Sequence, residues 1–471
     1  MAKDPIQPRN IDRRQFIQSA SLVPAGLALS GCATDSVRQQ ASAPQSTTTM
    51  MGHVAPSLDT VRVAVIGAGR RGTTILRLLS DLDGIELKAI CDPYEPAIAN
   101  AKKLLTELGV AIPDFYASGD HAYKEMLERD DIDAVFILTP WSWHTPMATD
   151  TMLANKHAFV EVPAAQNLDE CWQLVETSEQ TRMHCMMMEN VCYGRDELMT
   201  LNMVRQGVLG ELLHGEAAYI HELRWQMKDI EEGTGSWRTD WHTRRNANLY
   251  PTHGLGPIAQ YMNINRGDRF DYLSSMSTPA MGRKLYAERE FPADHPRNQA
   301  NYVCGDMNTS LIKTVRGRTI MVQHDTTTPR PYTRHNLVSG TNGVFARYPN
   351  RIALDSNPLG PDGKFHEWQH DMTRWYEHYE HPLWRSLASD AAASIGHGGM
   401  DFVMLWHIVF CLRNGRTMDQ NVYDAAAWSA VVALSESSIR NRGDAQDFPD
   451  FTREAWKTAS PLTVMEHGAE A

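Results

Sequence analysis

The chain has 471 residues, of which 42% are hydrophobic and 22% charged, and its formal net charge is −12. This size and composition predict a soluble globular protein of two or three domains, and they exclude the fibrous and disordered classes. The acidic balance also argues against a nucleic-acid-binding protein, which usually presents a basic face.

The first 32 residues are predicted to be an export signal. Arg13 and Arg14 form a twin-arginine pair, and the apolar stretch after them is too short, and too interrupted by Pro24, to span a bilayer. The LSGC sequence that ends at Cys32 resembles a bacterial lipobox. The pattern predicts export by the Tat route to the periplasm, with Cys32 as a candidate lipid anchor, and the alternative is a flexible soluble leader. Residues 33–57 are rich in Ser, Thr, Gln and Ala, which predicts a linker.

A strand, a glycine loop and a helix open the next domain, predicted over residues 58–190. The β-branched run from Val61 to Ile66 is typical of a buried parallel strand. A GxGxxG loop follows at Gly67, Gly69 and Gly72. Such a loop lets main-chain N–H groups approach a diphosphate, and the helix predicted from Thr73 to Ser80 directs its positive end to the same place. The alternative is a strand–loop–helix unit that holds no ligand.

A second strand, IELKAICD, is predicted to end at Asp92, about 20 residues after the loop. A carboxylate there suits a ribose 2′-hydroxyl and repels a 2′-phosphate, so the sequence favours NAD over NADP. The later strands DAVFILTP, HAFVEVP and RMHCMMMENV end near residue 141, at Pro163 and near Asn190. Ligands in this class of fold bind outside the carboxyl ends of the strands, which makes all these ends candidates for cofactor contact.

The second half of the chain predicts a different sheet. The segments GEAAYIHELRW and NTSLIKT…GRTIMVQHDTT alternate apolar and polar residues, as strands of a one-sided sheet do. VYDAAAWSAVVALSESSIRN predicts an amphipathic helix, and DMTRWYEHYEHPLW predicts another helical stretch. GHGGMD predicts a turn that either closes over a ligand or is only a tight loop. No group of His, Cys and Asp has the spacing of metal ligands, so we predict no metal site.

The motifs GxGxxG, TPxxxH and KHAFVEVP resemble the glucose–fructose oxidoreductase and inositol dehydrogenase family. That resemblance implies an N-terminal Rossmann domain and a C-terminal α/β domain with an open, mainly antiparallel sheet, here residues 191–471. It also implies a homo-oligomer, because family members often pair through the outer face of this sheet. Ordinary members carry Glu-Lys-Pro where this chain has Glu161-Val162-Pro163. The lysine that assists hydride transfer is therefore absent, which argues against a plain dehydrogenase.

Longer motifs in both halves are similar to those of glycoside hydrolase family 109: TPWSWHTPMA, HCMMMENVCYGR, NLYPTHGLGPIAQYMNINRGDRF, CGDMNTSLIKT, QHDTTTPRPY and GHGGMDFVM. The resemblance implies an NAD-dependent α-N-acetylgalactosaminidase. In the implied route the C3 hydroxyl of the sugar is oxidised, a base removes the C2 hydrogen and the C1–O bond breaks by elimination. Water then adds at C1, and C3 is reduced again. NAD is restored in each turnover, so it can leave the cytoplasm inside a folded protein.

The same resemblance implies the residues of the site. His253, beside the nicotinamide by this resemblance, is the candidate for the C3 hydroxyl proton. Tyr193 is the candidate base at C2 because of its place just after Asn190, and a phenol needs a lowered pKa for that role. The implied substrate contacts are Tyr219, Arg238, Tyr250, Pro251, Thr252, His253 and Tyr332. The implied cofactor contacts are Gly67, Gly69, Arg71, Gly72, Asp92, Trp141, Ser142, Trp143, His144, Glu161, Val162, Asn190 and Tyr250.

Residue type alone leaves alternatives at several of these positions. A tyrosine in such a domain is usually a packing residue, and Trp141 and Trp143 could either stack on substrate or only line the pocket. His221, His324 and His397 are interpreted as structural or as lying at the edge of the site. The sequence as a whole predicts an exported NAD-dependent glycosidase. The alternatives are a periplasmic NAD-dependent sugar oxidoreductase with net hydride transfer, and a cofactor-loaded lipoprotein that binds sugar without turnover.

Overall fold

The computed structural model describes residues 48–359, 367–394 and 397–462, and all of them fall within one compact unit, Ser46–Ala471. The predicted signal with Arg13, Arg14 and Cys32 lies outside the described residues, as does the predicted linker up to residue 47. Among the described residues, no helix has both the length and the apolar character needed to cross a bilayer.

The last part of the predicted linker, residues 48–57, packs on the folded unit. Met50 is buried, and its main-chain N–H donates to the Tyr423 hydroxyl at 2.9 Å. His53 contacts the carbonyl oxygen of Arg182, and Arg182 donates back to the carbonyl oxygen of Thr49. Apolar side chains in this otherwise polar segment therefore dock it on the domain.

The N-terminal half is built on a six-stranded parallel sheet in the order β3-β2-β1-β4-β5-β6. Its strands are β1 (Val61–Ile66), β2 (Ile85–Cys91), β3 (Asp114–Tyr116), β4 (Ala134–Ile137), β5 (His157–Val160) and β6 (Cys185–Met187). The connecting helices are α1 (Arg70–Ser80), α2 (Glu95–Leu108), α3 (Ala122–Leu127), α4 (Trp141–Leu153) and α5 (Leu168–Thr181). This is the Rossmann order, and the chain reverses between β1 and β4, where such folds bind their ligands.

The C-terminal half is built on an eight-stranded sheet in the order β13-β12-β11-β7-β10-β9-β8-β14. Its strands are β7 (Leu212–Ile220), β8 (Phe270–Ser277), β9 (Asn308–Thr314), β10 (Thr319–Asp325), β11 (Thr333–Gly340), β12 (Gly343–Ala346), β13 (Arg351–Leu354) and β14 (Gln446–Asp447). Only β7 and β10 pair in parallel, so the predicted open, mainly antiparallel sheet is confirmed.

Helices cover this sheet and join it to the Rossmann half. They are α6 (Arg195–Arg205), α7 (Thr234–Arg244), α8 (Thr252–Tyr261), α9 (Gly282–Glu290), α10 (Pro296–Gln299), α11 (Thr373–Tyr379), α12 (Pro382–Ala393), α13 (Met400–Asn414) and α14 (Val422–Arg440). Shorter 3-10 turns lie at Asn190–Tyr193, Arg224–Lys228, His397–Gly399 and Ala455–Lys457. Helix α8 packs on the inner face of β7, whereas Glu216 and the alternate residues of that strand project from the opposite face.

Three predictions about helices differ from the structure. Helix α1 begins at Arg70 and not at Thr73, because Gly69 already acts as its N-cap. The stretch predicted as one helix over residues 371–384 is two helices, since the residue before Pro382 is extended, as residues before proline usually are. Helix α14 is not amphipathic: 15 of its 19 residues are buried, because it lies between α5 and β6 on one side and β8 on the other.

Candidate active site

The glycine loop has the geometry that a dinucleotide requires. Gly67 has a φ of +95°, and a Cβ there would lie 2.6 Å from the carbonyl oxygen of Leu138. A Cβ on Gly72 would overlap the carbonyl oxygen of Gly67. The first turn of α1 contains no acidic residue, and its N-cap Gly69 forms no side-chain cap. The loop therefore presents main-chain N–H groups and a positive helix end, which fit the diphosphate of NAD.

Asp92 lies one residue beyond β2, beside this loop. Its carboxylate accepts hydrogen bonds from the main-chain N–H groups of Ala68, at 2.7 Å, and Tyr94, at 2.9 Å. These bonds fix the carboxylate at the carboxyl edge of the sheet while lone pairs on both oxygens stay available. The position fits the ribose hydroxyls of NAD.

The four predicted cofactor residues at the start of α4 differ in their surroundings. Trp141 is buried, and its Nε1–H donates to the carbonyl oxygen of Val162 at 3.2 Å. Trp143 packs edge-on against His121, and Ser142 is exposed. Both ring nitrogens of His144 lie 2.8 Å from main-chain carbonyl oxygens, and burial lowers the pKa of this histidine. The His144 ring therefore ties together the ends of β4 and β5.

A buried ionic network joins the glycine loop to α13. The Arg71 guanidinium contacts Glu161 at 2.6 Å and forms two hydrogen bonds with Asp401, at 2.8 and 2.9 Å. The Asp401 carboxylate also accepts from Asn190 Nδ2 at 2.8 Å and contacts His397 Nδ1 at 2.6 Å. Burial by itself would raise the pKa of Asp401, but the charge of Arg71 and these hydrogen bonds hold it well below its usual value.

Sequence reasoning missed Asp401 as a site residue. It lies in the GHGGMD motif, where only the turn was considered, and it meets Arg71 across 330 positions of the chain. Its side chain is fully buried at the start of a helix, and a buried acid needs a partner. An acidic residue at the start of an apolar helix could therefore have been noticed in the sequence, but the sequence does not show that its partner is Arg71.

A second network centres on His253, the second residue of α8. His253 Nδ1 lies 2.7 Å from Glu189 Oε1, and Nε2 lies 3.3 Å from the Tyr250 hydroxyl. Glu189 is fully buried, and burial raises the pKa of Tyr250 well above its usual value. When Nδ1–H donates to the Glu189 carboxylate, Nε2 is the nitrogen left to accept a proton. Glu189 was also missed, although its place at the end of β6, directly before Asn190, pointed to the site.

The close approach of α8 to the sheet holds His253 in place. A Cβ on Gly254 would overlap the main-chain nitrogen of Ala218 in β7. Pro251 is the N-cap of the helix, and Thr252 is its buried first residue. The predicted contacts Pro251 and Thr252 thus start the helix that carries His253.

Aromatic rings surround His253 on the sheet side. The Tyr219 ring lies 4.5 Å from that of Tyr250 and 5.4 Å from that of His253, and 6.4 Å from Tyr332, which is 39% exposed. The Arg238 guanidinium lies over Trp141 and Tyr250, at 5.6 and 5.4 Å from the ring centres. The fold thus gathers the predicted substrate residues at one place, between the two halves of the chain.

Tyr193 does not join this cluster. It is 1% exposed, and its ring lies 5.8 Å from that of His407 in α13. Its hydroxyl is buried with no hydrogen-bond partner among the described residues, and burial raises its pKa well above the usual value. A base needs a lowered pKa or an activating partner, so these surroundings argue against Tyr193 as the base at C2.

Among the described residues, no group of three or more His, Cys, Asp or Glu side chains is arranged to hold a metal ion.

Comparison with known proteins gives a consistent result for both halves. A family model described as the C-terminal domain of glycosyl hydrolase 109 matches residues 193–458. A second model, described as the NAD-binding Rossmann fold of an oxidoreductase family, matches residues 61–189. A glycosyl hydrolase family 109 protein from Shewanella woodyi is 63% identical over 426 residues, covering 90% of this chain and 91% of its own. A family 109 protein from Shewanella sp. strain MR-4 is 60% identical over 457 residues, which cover 97% of this chain and 99% of its own.

Solved structures share the fold at much lower identity. An NAD-binding oxidoreductase from Klebsiella pneumoniae superposes with a TM-score of 0.64 at 15% identity and covers 83% of this chain and 99% of its own. Levoglucosan dehydrogenase in complex with NADH and L-sorbose superposes with a TM-score of 0.63 at 17% identity, and the match covers 83% of this chain and 100% of that one. These likenesses support the two-domain architecture alone.

Proposed function

This chain belongs to glycosyl hydrolase family 109, and from that membership we propose that it hydrolyses terminal α-linked N-acetylgalactosamine with a bound, recycled NAD. The observation that carries this proposal is the pair of contacts that His253 makes with Glu189 and with Tyr250. Glu189 lies in one family 109 motif, and His253 and Tyr250 lie in another that follows about 60 residues later in the chain. Val162 supports hydrolysis over net oxidation, because it stands where ordinary dehydrogenases of this fold carry a lysine.

The cofactor site follows from the fold. The glycine loop and the start of α1 would hold the diphosphate of NAD, and Asp92 would hold its adenosine ribose, with Arg71 in the first turn of the same helix. When bound, NAD supplies a reversible hydride acceptor for the C3 position of the sugar. The chain itself supplies the acid–base groups and the hydrogen-bond donors that the remaining steps need.

His253 is the group that we assign to the C3 hydroxyl. Its Nε2 accepts the hydroxyl proton, and Glu189 stabilises the imidazolium that forms, because the carboxylate contacts Nδ1. The Tyr250 hydroxyl lies 3.3 Å from the same nitrogen and donates to it when Nδ1 carries the ring proton, so a sugar hydroxyl bound there would replace this contact. Arg238 has five N–H donors for sugar oxygens.

For the proton at C2 we propose the pair formed by Tyr219 and His221. The Tyr219 hydroxyl lies 2.9 Å from His221 Nδ1. Burial raises the pKa of Tyr219 to about 12 and lowers that of His221 to about 4, so at neutral pH the hydroxyl is protonated and the ring is neutral. The pair differs from Tyr193 because a neutral ring nitrogen lies beside the hydroxyl, and it can take the hydroxyl proton as the oxygen takes the proton from C2. The pair borders Tyr250 and Tyr332, whereas Tyr193 does not.

The function is tested by incubating the purified protein with an aryl α-N-acetylgalactosaminide and no added cofactor. We expect continuous release of the aryl group without lasting NADH absorbance, and NAD in the supernatant of denatured protein. The absorbance of NADH rising in step with product would identify the sugar oxidoreductase instead. Released NADP in place of NAD would contradict the role of Asp92.

The elimination route predicts exchange at C2. Turnover in heavy water should place deuterium at C2 of the released sugar and none at C3, because the C3 hydride returns from the bound cofactor. The measurement is NMR of the product, and the His221→Ala variant should slow the exchange at C2. Direct displacement at C1 would keep the C2 hydrogen, and it would need two carboxylates about 5–10 Å apart on either side of the anomeric carbon.

Export remains a proposal that rests on the first 32 residues. Replacing Arg13 and Arg14 with lysine should leave the protein in the cytoplasm, folded and holding NAD, since the Tat route depends on the arginine pair. Cell fractionation measures this, with a Cys32→Ala variant to test lipid anchoring separately. Unchanged appearance in the periplasm would mean a different route.

A further inference from the structure

Four basic side chains, three of them buried and Arg238 partly exposed, lie beside the candidate active site. Two of them, Arg238 and His242, are on α7, Arg283 is on α9 and His324 is on β10. We call these four residues the basic cluster. His242, Arg283 and His324 are only 1%, 3% and 2% exposed.

The basic cluster is continuous with the substrate residues. His324 is the register partner of Tyr219 in the neighbouring parallel strand, and the two side chains project from the same face of the sheet. The rings of His242 and His324 lie 6.0 Å apart. Behind them the Thr326 hydroxyl lies 3.2 Å from His242 Nε2 and 3.4 Å from a terminal nitrogen of Arg283. The cluster thus extends from Arg238, over the Tyr250 ring, to Arg283.

The two arginines of the basic cluster have no acidic partner in the part of the chain that the structure describes. Neither Arg238 nor Arg283 comes within 4.0 Å of a carboxylate there. Other buried arginines behave differently: Arg266 contacts Asp424 at 2.7 Å, and Arg334 contacts Glu197 at 3.2 Å. An unpaired buried guanidinium is costly, so Arg283 is the exception that needs an explanation.

Unpartnered buried nitrogens accompany this charge. Nε of Arg238 and of Arg283 is buried with no hydrogen-bond partner among the described residues, as is Nδ1 of His242 and of His324. Burial lowers the pKa of His324 to about 3 and that of Arg283 to about 10, so at neutral pH the histidines are neutral and Arg283 is charged. Buried polar atoms nearly always have hydrogen-bond partners. Four unpartnered nitrogens in a single place therefore indicate a site where a ligand binds.

We propose that the basic cluster binds an anionic oxygen substituent, a sulfate ester or a carboxylate, on the sugar that the enzyme hydrolyses. This inference rests on the proposed function and narrows its substrate to acidic derivatives of the amino sugar. An anion compensates one positive charge of the cluster and accepts hydrogen bonds from several donors at once. A neutral acetamide would use one or two donors and leave Arg283 unpaired. The continuity with Tyr219 favours a group carried by the substrate over a free ion.

The test compares three aryl α-N-acetylgalactosaminides: the neutral compound, its 6-O-sulfate and its 4-O-sulfate. We expect kcat/KM for at least one sulfated compound to exceed that of the neutral one by about tenfold, which is typical of a charge-assisted hydrogen bond. Arg283→Gln should bring the ratio of kcat/KM for the sulfated and neutral compounds close to one. Arg283→Lys, which keeps the charge, should restore part of the preference for the sulfated compound. Arg297→Gln is the matched control, because Arg297 donates to the carbonyl oxygen of Met227 and lies outside the cluster.

Two further measurements keep the inference separate from the proposed function. Calorimetry with free N-acetylgalactosamine and its 6-sulfate and 4-sulfate measures binding without hydrolysis, so a failure of the glycosidase assay leaves the anion site testable. Inorganic sulfate should compete with the sulfated substrate. Equal affinity for the neutral and both sulfated sugars would overturn the proposal, whether or not inorganic sulfate binds. If any variant fails to fold, these wild-type measurements still decide.

Discussion

Replacing His253 with alanine should lower kcat for aryl glycoside hydrolysis by roughly two to four powers of ten, the usual contribution of a positioned acid–base group. The ring nitrogen that faces Tyr250 is the only part of α8 to which we assign a proton transfer. The glycine loop and the Arg71 network do not include His253, so the variant should still bind NAD. The measurements are kcat by absorbance and the nucleotide content of the denatured protein.

Glu189→Gln is the matched variant for this prediction. It keeps the contact with His253 Nδ1 and removes the negative charge, so it should lower kcat by about tenfold while changing KM little. An unchanged rate in His253→Ala, with NAD present, would remove His253 from the mechanism. Equal losses in kcat and in bound NAD would indicate a structural role instead.

Asp401→Ala should convert a retained cofactor into one that dissociates. The carboxylate holds Arg71 through two hydrogen bonds and connects it to Asn190 and His397. Removing it leaves Glu161 as the remaining acidic partner of Arg71, and the loss of one partner from such a network destabilises the folded protein. We expect the purified variant to contain little NAD, to depend on added NAD for activity and to melt at a lower temperature.

The control for this experiment is Asp390→Ala, which removes the same charge from an exposed position on α12. It should leave NAD content and melting temperature unchanged. Added NAD should raise the melting temperature of Asp401→Ala with the logarithm of the NAD concentration above Kd, because a ligand stabilises the state that binds it. Stoichiometric NAD in purified Asp401→Ala would show that the network does not retain the cofactor.

Local pattern was enough to predict the Rossmann half. The strand Val61–Ile66, the glycine loop and Asp92 lie within about 30 residues. At each of them the geometry of dinucleotide binding allows few residue types, so the sequence alone indicates the site. The substrate residues Tyr219, Arg238 and Tyr250 were found only through family resemblance. Their residue types alone did not separate binding from packing.

The missed and misassigned residues have a common cause. Asp401 and Glu189 act through partners 330 and 64 positions away, and no periodicity in the sequence records such a pairing. Tyr193 follows Asn190 closely in the chain, but the 3-10 turn directs it into a packed interior. Helix α14 was expected to have a polar face. Its small Ala and Ser residues instead let two domains close on it from both sides.

The fit of Gly254 against the main chain of β7 bears on how this enzyme could be re-engineered. A helix seated so closely on a strand cannot slide or tilt to accommodate a new substrate, because even one methyl group at Gly254 would displace it. His253 is therefore a fixed reference point for the sugar. Libraries that seek altered specificity should leave α8 untouched and diversify the partly exposed Tyr332 and residues on α9, which can change without moving the imidazole.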